Sequence, residues 1–130
     1  MSHQLTITVH PDRYAICRLE AGAPLPAWAG GGDFLSVTRT ARELSVVCAD
    51  SMVPESAHAE RHRRLLQIEG TLPFSLVGVL ASVAAPLAEA EISTFAISTY
   101  DTDYLLVSDK DLRRAEEVLE AAGHTIRQST

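Results

Sequence analysis

The sequence predicts an α+β fold made of two successive halves, and three observations predict it. Residues 65 to 128 alternate extended and helical patterns in the order strand, helix, strand, strand, helix, strand. The two halves of the chain match apolar to apolar at an offset of 60 residues. Hydrophobic residues make up 46% and charged residues 22% of 130 residues, which is a globular composition. That length suits one domain, or two halves of about 65 residues sharing one core.

Leu5 to Val9 alternates with period two, and so does Tyr14 to Leu19 after the His10-Pro11-Asp12 turn signal, so an opening hairpin is expected. Ala21 to Asp33 is rich in Gly, Pro and Ala and holds only a short helix at Leu25 to Ala29, with Trp28 read as a core plug. Phe34 to Thr38 and Leu44 to Cys48 read as strands, and Glu55 to Arg64 as a polar helix after Pro54.

From Leu65 the pattern begins again. It runs as strand Leu65 to Glu69, a Gly70 to Ser75 loop, a helix at about Leu76 to Ala90, and strands at Ile92 to Thr99 and Tyr104 to Val107. A helix over Asp111 to Ala122 and a closing strand at His124 to Gln128 complete it. The last helix repeats Leu112, Ala115, Val118, Leu119 and Ala122 at helical spacing, with Ser108 or Asp109 as its cap and Gly123 at its exit. Pro86 removes a hydrogen bond inside the preceding helix, where a kink or a change of helix type is expected. The 60-residue offset pairs Leu35 with Phe95, Val37 with Ile97 and Leu44 with Tyr104, which is the mark of an internal repeat. The first half lacks a closing strand of its own, and Leu5 to Val9 is free to supply it. Two interlocked ferredoxin-like βαββαβ halves are expected, meeting near residue 64.

Seventeen acidic against eleven basic side chains give a net charge of −6, a field that repels nucleic acid and anionic membranes. Arg61-His62-Arg63-Arg64 is too short to reverse it and reads as a solvated helix end. The first residues lack the basic and apolar regions of a signal peptide, and no apolar run approaches bilayer length, so a soluble cytoplasmic protein is expected. Cys17 and Cys48 form no CxxC and read as core thiols. His58 and His62 stand four apart without a further ligand in a recognised spacing, so no metal site and no cofactor is expected. The Gly30-Gly31-Gly32 run precedes a strand and is a connector, and no catalytic motif of a hydrolase, kinase or dinucleotide enzyme is present.

Gly78-Val79-Leu80-Ala81 opens a helix that feeds an extended Ser/Thr strand, an arrangement that lines a pocket for a small anionic group with backbone rather than building a catalytic centre. Gly78 to Ser93, continued by Phe95-Ala96-Ile97-Ser98-Thr99 and by Tyr104 to Asp109, resembles the ACT domain, the amino-acid-sensing module of amino-acid biosynthesis. The likeness is closest to the regulatory repeats of aspartate kinases and extends to small stand-alone tandem-ACT proteins. The Ser98-Thr99-Tyr100-Asp101-Thr102-Asp103 turn is also similar to the ACT repeats of a cytosolic arginine sensor. The chain departs from the family at Pro86 and at Glu91, where the family usually has glycine.

The resemblance implies two ACT-like halves, a degenerate one over residues 1–64 and a second over 65–130, with antiparallel sheets and helices on one face. It implies a non-catalytic regulatory protein that binds an amino acid, acts on a regulated enzyme or protein partner and forms a homodimer. A ligand-free interaction module is the alternative. In the implied site, free N–H groups at the Gly78 helix start hold a carboxylate, with the helix dipole adding ~0.3–1 kcal/mol. Asp103, beside Ser98, Thr99, Tyr100 and Thr102, takes the ammonium, although such side chains also stabilise turns for their own sake. Phe74, Ser75, Leu76 and Val77 enclose the ligand side chain, with core packing an equal reading for Phe74 and Leu76. Ser45 and Val46 lie on the strand that the family places between repeats, where burial in the sheet is the favoured reading.

Overall fold

A computed structural model describes residues 3–73 and 75–129. Two compact units emerge, Met1–Pro11 with Arg64–Thr130, and Asp12–Arg63. Seven strands make up the α+β architecture: β1 (Thr6–Leu19), β2 (Ser36–Arg39), β3 (Leu44–Ala49), β4 (Ala59–Ile68), β5 (Phe95–Ser98), β6 (Asp103–Ser108) and β7 (Thr125–Gln128). Two α-helices, α1 (Val79–Glu89) and α2 (Leu112–Ala121), lie in the first unit.

In that unit the strand order is β7-β1-β4-β6-β5. Ile7 and Val9, Leu66 and Ile68, and Leu105 and Val107 alternate along their strands and therefore point to one face of the sheet. There they pack with Val79, Val83 and Leu87 of α1 and Ala115 and Leu119 of α2 in one buried cluster. Both helices thus cover the same face, the ferredoxin-like arrangement. The β5/β6 pair is antiparallel, whereas Thr6–Val9 pairs with β7 in parallel. Leu5 to Val9 therefore completes the later unit rather than supplying a closing strand to the first half.

Both helices end in a Schellman motif, in which the N–H of a left-handed residue and the N–H of the residue after it cap the last carbonyls. In α2 the left-handed residue is Gly123 at φ 101, with His124 N–H bonded to the Leu119 carbonyl and Gly123 N–H to that of Glu120. In α1 it is Glu91 at φ 61, with Ile92 N–H on Leu87 and Glu91 N–H on Ala88. Glu91 thus does the conformational task of the family's glycine and bears the left-handed strain that glycine avoids.

Pro86 does not break α1, which runs unbroken from Val79 to Glu89. The proline denies the Ser82 carbonyl its usual partner four residues on. The buried ring of His124 lies 2.8 Å from that carbonyl through Nε2, while its Nδ1 accepts the Leu5 N–H at 3.1 Å. A carbonyl can only accept and an N–H can only donate, so His124 is the neutral Nε2–H tautomer.

The Asp12–Arg63 unit orders its strands β2-β3-β1-β4 around Ala15, Cys17, Ala29, Leu44, Val46 and Cys48, with Trp28 against the cluster. It has no α-helix among the described residues, only 3-10 turns at Ala27–Gly30 and Asp50–Met52. Two expectations fail here or at its edge. His10-Pro11-Asp12 is not a turn but the middle of β1. Residues 10–13 fall between the stretch paired to β7 and the stretch paired to β3, where a proline without an N–H is tolerated. The helix expected at Glu55 to Arg64 is instead the start of β4, in which Glu60 and His62 are exposed and Arg61 and Arg63 half-buried. Asp50 fixes that strand, accepting the Arg61 guanidinium at 2.9 Å and the His62 N–H at 2.7 Å, and His62 turns left-handed at φ 60. The α2 start also differs: a 3-10 turn at Asp109–Asp111 precedes it and no side chain caps it.

The repeat is structural, but its offset is 59 rather than 60. Strands β2 and β3 pair Ser36 with Val47 through Arg39 with Leu44, and β5 and β6 pair Phe95 with Leu106 through Ser98 with Asp103. The 3-10 turns Asp50–Met52 and Asp109–Asp111 follow at the same offset. Each hairpin turn is headed by a threonine. Thr40 N–H and Oγ1 donate to the Glu43 carbonyl, and Thr99 N–H and Oγ1 donate to that of Thr102. In this register Asp101 stands where the first hairpin has Arg42, and Asp103 where it has Leu44.

Candidate functional site

The second hairpin turn and the segment before α1 meet around a cavity of about 220 Å³ lined by Leu72, Pro73, Leu76, Val79 and Ser98 through Asp103. Local bonds build it. Leu72 N–H donates to the Asp101 carbonyl at 2.7 Å, tying the strand exit to the hairpin. Thr102, buried, donates its hydroxyl to the Ile68 carbonyl at 2.8 Å, which anchors the turn to β4. Ser98 Oγ donates to Asp103 Oδ1, so the carboxylate is oriented from below by its cross-strand neighbour. The lining carries two carboxylates, Asp101 and Asp103, and no lysine or arginine. A cationic group therefore meets an attractive field there.

Of the residues singled out in the sequence, Leu76, Ser98, Thr99, Tyr100, Thr102 and Asp103 come together at this cavity. Tyr100 is 79% exposed at its rim. Ser75 and Val77 are exposed and outside its lining, and Phe74 lies outside the described residues. Ser45 and Val46 sit on β3 of the other unit, paired with Arg18 and Cys17, with Val46 fully buried. Leu72, Pro73, Val79 and Asp101, to which the sequence assigns no ligand role, also line the cavity. The signal for Asp101 was its place in the hairpin turn.

Gly78 lines a different and larger cavity, about 450 Å³, with His3, Ala81, Ser82, Ala85, Pro86, Glu89, Ala122 and His124. It adopts φ 83 and ψ 0, the left-handed region, immediately before the first turn of α1. Glycine is needed at this point by conformation, because an L side chain there meets the following carbonyl. The Gly78 carbonyl accepts both the Ser82 N–H at 3.0 Å and the Ser82 hydroxyl at 2.8 Å.

Both thiols are held inert. Burial pushes the Cys17 thiol up to about 12 and raises that of Cys48, with a hydrogen bond between them, so neither is a thiolate nucleophile at neutral pH. No group of three or more His, Cys, Asp or Glu residues is placed to hold a metal ion among the described residues. Nor is any described helix long and apolar enough to cross a membrane.

A βαββαβ sheet with both helices on one face, and a small cavity between its first loop and its second hairpin, is the ferredoxin-like architecture of ACT-type regulatory domains. Residues 58–121 belong to the ACT-domain family, matching a family model described as an ACT domain, and residues 12–56 match a model described as an N-terminal domain. A crystal structure of a protein from Agobacterium tumefaciens superposes with a TM-score of 0.94 at 34% identity, covering 99% of this chain and 96% of that one. The regulatory subunit of aspartate kinase from Thermus flavus superposes with a TM-score of 0.60 at 9% identity, covering 92% and 99%, a likeness of fold alone.

In sequence, the human cytosolic arginine sensor for mTORC1 subunit 1 is 40% identical over 58 residues, 44% of this chain and 18% of the sensor. Human CASTOR3P is 30% identical over 92 residues, 61% of this chain and 56% of that protein. The chain thus spans about half the length of one of these human relatives and under a fifth of the other.

Proposed function

We propose that the protein is a non-catalytic regulatory module that binds a free amino acid at the cavity between residues 72–79 and 98–103 and passes that signal to an enzyme or protein partner in the cytoplasm. The observation that carries this reading is the pairing of an acidic hairpin, Asp101 and Asp103, with the first turn of α1 across one small cavity. An α-ammonium is attracted by the carboxylates, and the positive end of the α1 macrodipole, at the Val79 side of the cavity, attracts a carboxylate. No histidine lines the cavity and the Ser98 hydroxyl already donates to Asp103, an arrangement that holds a ligand rather than activating a nucleophile. A degenerate half over residues 12–63 and a half over 64–130 completed by Thr6–Val9 fit the 59-residue repeat, since the first hairpin carries Arg42 and Leu44 in place of the two carboxylates. Ser45 and Val46 then have a role in the sheet of the first half rather than in the cavity.

A thermal-shift panel of the proteinogenic amino acids tests the reading, because a ligand at about a hundred times its dissociation constant stabilises the native state by ~2.7 kcal/mol. Asp103→Ala is expected to weaken the best ligand by about 10- to 150-fold, the loss of one charge-assisted hydrogen bond worth ~1.5–3 kcal/mol. Calorimetry with unchanged affinity would remove this cavity from consideration.

A second reading, a ligand-free oligomerisation module, draws on β5. This edge strand of its sheet, Phe95–Ser98, carries no charged residue, and Phe95 is 37% exposed. Uncharged edges invite pairing with a second copy. Light scattering is expected to give twice the chain mass, and Ile97→Lys, which places a charge on β5, to return the monomer mass. A monomer at high concentration in the unmodified protein would count against pairing through β5.

A further inference from the structure

We propose that His3 is a positioning residue that staples the 75–77 segment to the first turn of α1 and so holds one wall of the smaller cavity in its binding geometry. Its ring Nε2 lies 2.8 Å from the Val77 carbonyl, and its backbone N–H donates to Ser82 Oγ at 3.0 Å. The two bonds straddle Gly78, the left-handed residue at which the chain turns into α1. Ser82 Oγ in turn donates to the Gly78 carbonyl, so one network of four residues fixes the approach to the helix from both sides. Glycine at such a point leaves the segment before it free to swing unless something else holds it.

Burial does not supply that restraint. Ser75, Leu76 and Val77 are exposed, Val77 at 80%. The His3 ring spans 74 positions of sequence to reach Val77, whereas the Leu76 N–H bonds only to Pro73, three residues back. The N-terminal segment is itself anchored, through the Leu5 N–H on His124 and the Thr125 N–H on the Leu5 carbonyl. His3 is therefore a fixed post and the 75–77 segment the part it restrains. Leu76 lines the smaller cavity from that segment, and Val79 from the turn just beyond Gly78.

The consequence for ligand binding rests on reading that cavity as the amino-acid site; the staple itself does not. Hydrogen exchange of the ligand-free protein tests the staple. His3→Ala is expected to speed exchange of the hydrogen-bonded Leu76 and Ser82 amides several-fold while leaving Leu105 to Val107 in the sheet unchanged. His3→Gln, whose side-chain amide can donate to the same carbonyl, is expected to restore slow exchange. For the best-binding amino acid of the thermal-shift panel, His3→Ala should weaken affinity by up to about tenfold, the upper range for one neutral hydrogen bond, and His3→Gln by less. Exchange within a factor of two of the parent in His3→Ala, or acceleration spread over the whole sheet, would overturn the staple. Failure of every amino acid to bind would instead overturn the ligand reading, with the staple judged on exchange alone.

Discussion

His124→Ala is expected to destabilise the protein by about 2–4 kcal/mol, because two backbone groups lose their partners at once and each such loss costs ~1–3 kcal/mol. The Leu5 N–H loses its acceptor and the Ser82 carbonyl its donor. That carbonyl has no second chance within α1, since residue 86 is proline. The dependence on Pro86 makes the prediction specific. In a Pro86→Ala background the helix regains an N–H aimed at Ser82, and His124→Ala should then cost about 1–2 kcal/mol less than in the parent. Urea denaturation of the four proteins forms a double-mutant cycle. Equal cost of His124→Ala in both backgrounds would show that the histidine does not stand in for the missing helical bond.

Gly78→Val is expected to cost about 2–3 kcal/mol of stability, visible as a fall in melting temperature and urea midpoint, because a β-branched residue is placed at φ 83. From the sequence, the same substitution is expected to block carboxylate approach while sparing the fold. The left-handed backbone reverses that order: folding suffers directly, and binding must be compared at temperatures where the variant is fully native. Gly78→Asn separates the two effects, since asparagine tolerates this region better than other L residues. Equal stability of the Val and Asn variants would contradict a strain origin.

The features legible in the sequence are those that local periodicity specifies. Leu112, Ala115, Val118 and Leu119 announce α2, and all four pack into the first core cluster. The Ser98 to Asp103 turn was legible because a threonine-headed turn is written in consecutive residues. What was hidden depends on partners far along the chain. Residues 59–64 look helical in isolation, and pairing beside β1, with Asp50 holding Arg61 and His62, makes them a strand. Pro86 reads as a kink or a change of helix type, yet α1 stays α-helical through it while His124 supplies the absent bond. The repeat offset was misread by one residue because apolar similarity is too coarse to fix a register, whereas the ladder of Ser36 to Arg39 is copied rung for rung in Phe95 to Ser98. At the site, proximity in sequence assigned Gly78 and Leu76 to one pocket, but the turn at Gly78 sends them into two different cavities.

The parallel pairing of Thr6–Val9 with Thr125–Gln128 also constrains the order in which the chain can fold. The Leu5 N–H finds its acceptor 119 residues away, so β1 waits for β7. Contacts of such separation close the largest loops and form slowly. The contiguous Asp12–Arg63 unit has all its own residues as soon as Arg63 has been made. A nascent chain can therefore assemble that unit first, while Ile7 and Val9, destined for the other core, stay without their β7 partner until translation reaches Gln128.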